Sequence, residues 1–197
     1  MPIILALELM SFWIPNAYLL QTQSLMGAKP PVPYVDKGAC PFEGCVYREW
    51  VANSVVMMRT ERSQTASLAY NVRKGERVTA LTGVVITIKP GLVLFRESIN
   101  LVSDSGTLHI KAGEALFLLT YRGEGSTKAW FQGKIYDNVE GADAFYDSRC
   151  ESDPSRCAGR IVERPVSEWW VQIRNGGGKI GWTKETDKFD GKDAFGK

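Results

Sequence analysis

Few residues in this 197-residue chain could carry out chemistry, and their spacing restricts them further. His109 is the single histidine, so any triad, dyad or imidazole metal site would have to include it. It lies in Thr107-Leu108-His109-Ile110, where alternation makes it an outward or half-buried strand residue, read as an ordinary surface histidine. Glu140, Asp143, Asp147, Glu151 and Asp153 gather in one stretch that could serve acid–base catalysis or hold calcium. Their spacing does not match a calcium loop, so the stretch reads as a solvated acidic loop. Gly123-Glu124-Gly125 and Gly176-Gly177-Gly178 do not join a strand to a helix bearing Lys-Ser/Thr, which removes a phosphate cradle. No catalytic residue, metal ligand or cofactor is assigned on these grounds.

The four cysteines form two local pairs, Cys40/Cys45 and Cys150/Cys157. Each pair can close a small disulfide loop, which would point to an oxidising compartment. The alternatives are one shared zinc ion, for which the second pair is widely spaced, and free thiols. The first pair lacks the two-residue spacing of a thioredoxin-like redox motif. The remaining candidates are aromatic. Trp130, Tyr136, Trp169 and Trp170 are the ligand-binding candidates, because an exposed indole beside a tyrosine makes a stacking platform for a peptide or a glycan. Trp169 and Trp170 must point to opposite faces of a strand, and Trp182, sharing a face with Ile180, is expected in the core.

The elements that would position these residues are strands. Trp169-Trp170-Val171-Gln172-Ile173-Arg174 and Lys179-Ile180-Gly181-Trp182 flank Asn175-Gly176-Gly177-Gly178, the signature of a tight hairpin. Val84–Ile88 and Leu92–Phe95 flank Lys89-Pro90-Gly91, a second hairpin signal. Outside the N-terminal tail no twelve-residue segment has a helical period. One internal repeat is visible: residues 72–82 align without gaps on residues 110–120, keeping Gly75/Gly113, Glu76/Glu114, Leu81/Leu119 and Thr82/Thr120. Its physical sense is a glycine turn with a solvated glutamate that feeds a buried strand.

Hydrophobic content of 44% with 23% charged residues marks a globular chain. Formal charge of +2 with no basic run argues against nucleic acid and against a polybasic membrane patch. The first 28 residues contain no Lys or Arg, and their apolar runs are interrupted by Glu8 and Pro15, too broken for an integral membrane span. This segment reads as signal-like or as a disordered tail. A Pro-rich linker and cysteine loop follow over 29–45. Paired cysteines and the signal-like segment together place the protein outside the cytoplasm, periplasmic or secreted.

Val56-Met57-Met58-Arg59, Lys74-Gly75-Glu76-Arg77-Val78, Trp170-Val171-Gln172-Ile173 and Gly178-Lys179-Ile180-Gly181-Trp182 together resemble bacterial Src-homology-3-like (SH3b-type) modules. The segment from Cys40 to Trp50 and the ending from Gly181 to Gly196 resemble parts of an uncharacterised exported bacterial family. The resemblance implies an all-β fold with one or two small SH3-like barrels: a partial first module over 46–96, a second over 97–190 interrupted by an insertion over 136–168, and a tail over 191–197. The chain departs from the pattern at Lys89-Pro90-Gly91, where the first module should end in Gly-Trp. A Cys–His peptidase, the catalytic partner often fused to such modules, is poorly matched by Cys40 before Pro41. The implied function is non-catalytic binding in the bacterial envelope, with a cell-wall peptide or glycan, or a protein, as partner. The alternatives are a structural exported protein without a small ligand, and a small hydrolase using the acidic insertion.

Overall fold

The computed structural model describes residues 27–141, 145, 150 and 152–196. All but the last two residues of the signal-like segment, and Asp143, Asp147 and Glu151, lie outside the described residues. The described chain is all-β. Its strands are β1 (Tyr34–Lys37), β2 (Glu49–Ala52), β3 (Val56–Arg59), β4 (Leu68–Val72), β5 (Arg77–Lys89), β6 (Gly91–Phe95), β7 (Ile99–Ser103) and β8 (Gly106–Ile110). They continue with β9 (Ala115–Gly123), β10 (Ser126–Phe131), β11 (Lys134–Val139), β12 (Gly159–Glu163), β13 (Val166–Asn175), β14 (Ile180–Thr183) and β15 (Phe189–Asp190).

Hydrogen bonding divides these strands into two halves with one topology. The first sheet runs β15-β2-β5-β13-β14-β3-β4, with β1 added along β5. The second runs β11-β10-β9-β6-β12, and the β7–β8 hairpin joins it at β11, where Glu140 N–H donates to Val102 O (2.8 Å) and Asp104 N–H to Asp137 O (3.2 Å). Written from the other end, the second half is β12-β6-β9-β10-β11-β7-β8. Each strand matches its counterpart in the first, in order. A 3₁₀ turn precedes the last strand in both, Thr186–Lys188 before β15 and Pro154–Arg156 before β12.

The halves are not consecutive. Strands β6–β12 lie between β5 and β13, so the second half is nested inside the first, which we call the frame. The expected boundary between residues 96 and 97 is therefore corrected: β13, β14 and β15 pair with β5, β3 and β2. The expected hairpin at Lys89-Pro90-Gly91 is corrected too, because β5 pairs with β1, β2 and β13 while β6 pairs with β9 and β12. Proline there ends the β5 ladder, and the chain crosses to the nested sheet. The expected insertion over 136–168 likewise contains sheet strands, from the end of β11 through β12 to the start of β13.

The sequence repeat is the structural signature of this duplication. Gly75 (φ +82°) and Gly113 (φ +88°) take the left-handed conformation, and Glu76 and Glu114 carboxylates accept the Arg73 and Lys111 amides at 2.9 and 2.7 Å. Each turn docks on the end of an earlier strand, β2 or β6, through Gly75 N–H to Ala52 O (2.7 Å) and Gly113 N–H to Phe95 O (2.8 Å). Downstream, the ladder slips by one residue at the same place. Gln172 faces Thr82 while Ile173 faces Ala80; Lys128 faces Thr120 while Ala129 faces Leu118. The extra residues are Leu81 and Leu119, a matched pair in the repeat, so the β-bulge is duplicated with the turn.

Each half has its own core. Trp50, Val56, Met58, Tyr70, Val72, Val171, Ile173 and Phe189 fill the frame. Val93, Phe95, Leu101, Leu108, Leu116, Leu118 and Phe131 fill the nested half, with Phe145 of the connection to β12 edge-on to Phe95. Alternation explains the assignment: in β3 Val56 and Met58 turn inward while Met57 and Arg59 face out. Between the halves, the outer part of β5 pairs with β1 on one side and with Val166–Val171 on the other, forming a three-stranded stalk.

Candidate functional site

Trp182 corrects the expected core assignment. Gly181 and Thr183 take the inward positions of β14, while Ile180 is half exposed and Trp182 half buried on the outer face beneath the Arg62 guanidinium, 5.4 Å from the ring centroid. A side chain on Gly181 would press on Met58 and Tyr70, so β14 can sit this close to β3 only with its small residue inward.

The paired tryptophans do face opposite ways. Trp169 packs against the frame core among Phe42, Tyr47 and Trp50, edge-on to Phe42 and Trp50. Its Nε1–H donates to the Tyr47 hydroxyl (3.2 Å), which in turn donates to Ala39 O. Both groups lean on bare backbone at Gly83, where a Cβ would overlap the hydroxyl and the indole nitrogen. Burial raises the Tyr47 pKa, partly opposed by the Trp169 hydrogen bond. Cys40 and Cys45 are disulfide-bonded, and their loop carries Phe42 onto Trp169. The C-terminal segment locks that loop: Val46 N–H donates to Lys192 O (2.9 Å), Ala194 N–H to Gly44 O (2.7 Å), and Arg48 reaches Gly191 O and Asp193 O. Cys150 and Cys157 form the second disulfide.

Trp170 faces outward yet is covered to 2% exposure. Its Nε1–H donates to Glu168 Oε2 (3.0 Å), and Lys184 Nζ lies 2.6 Å from Glu168 Oε1 and 5.8 Å from the indole centroid. The Lys184 hydrogen bond, then that of Trp170, holds the Glu168 carboxyl below its usual pKa. Trp170 and Lys184 line a groove of about 330 Å³ whose other walls are Met57 and Arg59 of β3, Gln64 of the β3–β4 loop, and Thr183 and Glu185. Arg59 Nη1–H donates to Ala66 O (3.2 Å) and fastens the loop. A second depression of about 400 Å³ flanks the same loop, between Arg62 and Trp182 on one side and Val35 and Ile86 on the other.

The other two aromatic candidates stand elsewhere. Trp130 lies on the outer face of β10 with Leu92, Leu94, Ala115 and Phe117, and its Nε1–H donates to Ala28 O (2.6 Å). Tyr136 packs against the nested core with Lys134 over its ring. Neither joins Trp169 or Trp170, so the stacking platform expected beside Tyr136 is not assembled. His109 Nδ1 is 2.8 Å from Asn100 Oδ1 on the exposed face of the β7–β8 hairpin. Asp153 caps the Pro154–Arg156 turn by accepting from Ser155, which holds its carboxyl below the ordinary value.

Sequence reading missed the groove residues Met57, Arg59, Gln64 and Lys184, and it missed a buried charge network. Asp36 of β1 is 4% exposed; its Oδ1 accepts from Lys128 Nζ and Arg122 Nη2, both at 3.0 Å. Lys128 Nζ also lies 2.8 Å from Asp137 Oδ1. Burial alone would lower the Lys128 pKa, but the hydrogen bonds to Asp137 and Asp36 more than offset it and raise it. These four residues come from four strands, and the one available signal was a lysine between buried neighbours of a strand. Among the described residues no helix is long and apolar enough to cross a membrane, and no three His, Cys, Asp or Glu side chains are placed to hold a metal ion. No family model, no curated protein and no solved structure matches the chain.

Proposed function

We propose that this chain is a non-catalytic binding protein of the bacterial envelope, built from two SH3-like barrels, one nested in the other, with a cell-wall peptide as its ligand. The observation that carries this reading is the groove beside Trp170. It combines a broad indole, a flexible thioether at Met57 and two cations, Arg59 and Lys184, along one side of a hairpin loop. In small barrels of the type the sequence resembles, aromatic residues line a peptide or glycan groove. An extended peptide bearing carboxylates matches these walls, since its apolar side chains can pack against Met57 over the floor that Trp170 closes and its acid groups can meet the cations. Two disulfides support a location outside the cytoplasm.

The test is retention of the purified protein on sedimented peptidoglycan. Wild type is expected in the pellet, Lys184→Gln substantially less so, and Trp170→Ala in the supernatant. Because Trp170 is buried, the exposed Arg62→Gln serves as a folded control that remains bound. Equal recovery of wild type and Lys184→Gln would overturn the reading and favour an exported structural protein without a small ligand.

A further inference from the structure

The charges that line the Trp170 groove are not equally free. Lys184 Nζ lies 2.6 Å from Glu168 Oε1, and Glu185 Oε1 lies 2.6 Å from Lys188 Nζ, so each lining group already has an opposite charge against it. Arg59 differs. Among the described residues the one partner of its side chain is a neutral carbonyl, Ala66 O, reached by Nη1–H at 3.2 Å. A guanidinium carries five N–H donors in a planar fork, so this bond leaves most of its capacity unfilled. Glu61, the next acid along the chain, lines the second depression. Trp170 adds no donor to the groove, because its Nε1–H is committed to Glu168 Oε2 (3.0 Å). Glu168 does not line the groove; it holds Lys184 and Trp170 from outside, and its depressed pKa keeps it ionised there. Met57 and Arg59 both face out from β3, two residues and about 7 Å apart along the strand.

Resting on the binding function proposed above, we propose that Arg59 alone is the anion anchor of this groove, and that its ligand is a peptide presenting a single carboxylate next to an apolar side chain. The guanidinium fork can take both oxygens of one carboxylate, and the adaptable thioether chain of Met57 takes the apolar group beside it. The spacing of the two suits a carboxylate and a side chain that belong to one residue or to neighbours. A terminal carboxylate and the side chain of an aspartate or glutamate share this chemistry. A second carboxylate gains little, because the remaining cation is already paired. Glu168 is then a positioning residue, which fixes Lys184 and cancels its charge. Removing the Lys184 charge acts on the ligand through Glu168, whose unpaired carboxylate repels the bound anion.

The experiment is an amide ¹H–¹⁵N titration of the intact, oxidised chain with four probes at matched ionic strength. N-acetyl-leucine carries a terminal carboxylate, N-acetyl-glutamyl-leucine amide a side-chain one, N-acetyl-glutamyl-leucine both, and N-acetyl-leucine amide none. Saturable shifts at Met57, Arg59 and Gln64 are expected from at least one single-carboxylate probe, and which probe acts identifies the source. The probe with both should bind within about two-fold of the better single one, and the uncharged probe should leave these amides unmoved. Arg59→Gln should weaken binding about ten-fold or more. Lys184→Gln should weaken it too, whereas Glu168→Gln/Lys184→Gln should restore it by removing the charge that the single change unmasks. Equal shifts from the uncharged probe, no shifts from any carboxylate probe, or a clear gain from the second carboxylate would overturn the proposal on the wild-type chain alone. A folded double variant as weak as Lys184→Gln would mean that Lys184 meets the ligand directly, and would overturn it equally. Retention on peptidoglycan alongside any of these results leaves wall binding standing without the single anchor. Saturable carboxylate shifts without retention do the reverse.

Discussion

The frame and the nested half share strand order, glycine turn, bulge and 3₁₀ turn, yet they place different chemistry on the same positions. Where the frame sets Gln172 beside Trp182 on its outer face, the nested half sets Lys128 beside Asp137 and adds Asp36 from β1. The frame presents Glu49, Val51, Arg77, Thr79 and Arg174 on the β2–β5–β13 exterior. The nested half presents Leu92, Leu94, Ala115, Phe117 and Trp130 there, with Ala28 hydrogen-bonded to Trp130. The difference teaches that the fold requires the inward residues and the turn, while the outward ones are available for specialisation. Such a fold is held by its cores, and its exterior can diverge without loss of topology.

The buried ion network gives the largest way to break the comparison. Lys128→Met removes one of the two cations paired with buried Asp36, leaving Arg122 alone against Asp36 and Asp137, and a loss of about 3 kcal/mol is expected in chemical denaturation. Gln172→Met, at the corresponding position of the frame, should cost less than about 1 kcal/mol. Similar losses for both would mean that the halves are not specialised at this position.

Next in size is a pH effect confined to the frame. Tyr70 donates its hydroxyl proton to Ile173 O (2.8 Å), and burial, with the Glu76 charge adding to it, pushes its pKa up to about 12. Folding therefore favours the neutral phenol. That contribution is complete below pH 10.0, the ordinary tyrosine value, and is lost as pH rises through about 12. Roughly 2–3 kcal/mol should disappear across this window. The matched residue in the nested half is Leu108, which does not titrate. Tyr70→Phe should flatten the alkaline limb of the stability profile; an unchanged limb would place its origin elsewhere.

Smaller and sharper is the pair Gly75→Ala and Gly113→Ala. Both glycines have positive φ, and at Gly75 a Cβ would meet open space, so strain in the backbone alone sets the cost there. About 1 kcal/mol is expected for each in denaturant unfolding, equal within a few tenths. Markedly unequal values would break the equivalence of the two turns. Least of all is the acid limb from Glu168. Its depressed pKa stabilises the fold above pH 4.5 and stops doing so as pH falls through the lowered folded value. Partial exposure of the pair limits the effect to under about 1 kcal/mol, and Lys184→Gln should remove most of it in acid melts.

Much of the local structure was legible in the sequence. The hairpin over 169–182 forms as alternation and Asn175 predict, with Gly178 alone of its three glycines at positive φ. The Gly-Glu repeat identified the duplication, because a φ-positive glycine and a capping glutamate are local devices that leave a local trace. The nesting left none. The strands that complete the frame begin at Val166, and which sheet they join depends on pairing with β5 across residues 90–165. Trp182 was misread because alternation specifies which residues share a face, not which face is inward; that depended on the contact of Gly181 with Met58. The groove and the ion network were hidden for the same reason, being assembled from separate strands by register.

The stalk bears on how the chain can fold. The central β5–β13 pair of the frame is separated by residues 90–165, and closing that span as an open chain would be slow and entropically unfavourable. Once the nested half has formed, its ends leave from Gly91 and Glu163, and a single residue, Pro90, separates it from Lys89 of β5. Lys89 is then delivered opposite Val166, and the ladder can zip from the stalk toward Asn175. The topology therefore favours an order of assembly in which the nested half forms first and serves as a template for its host.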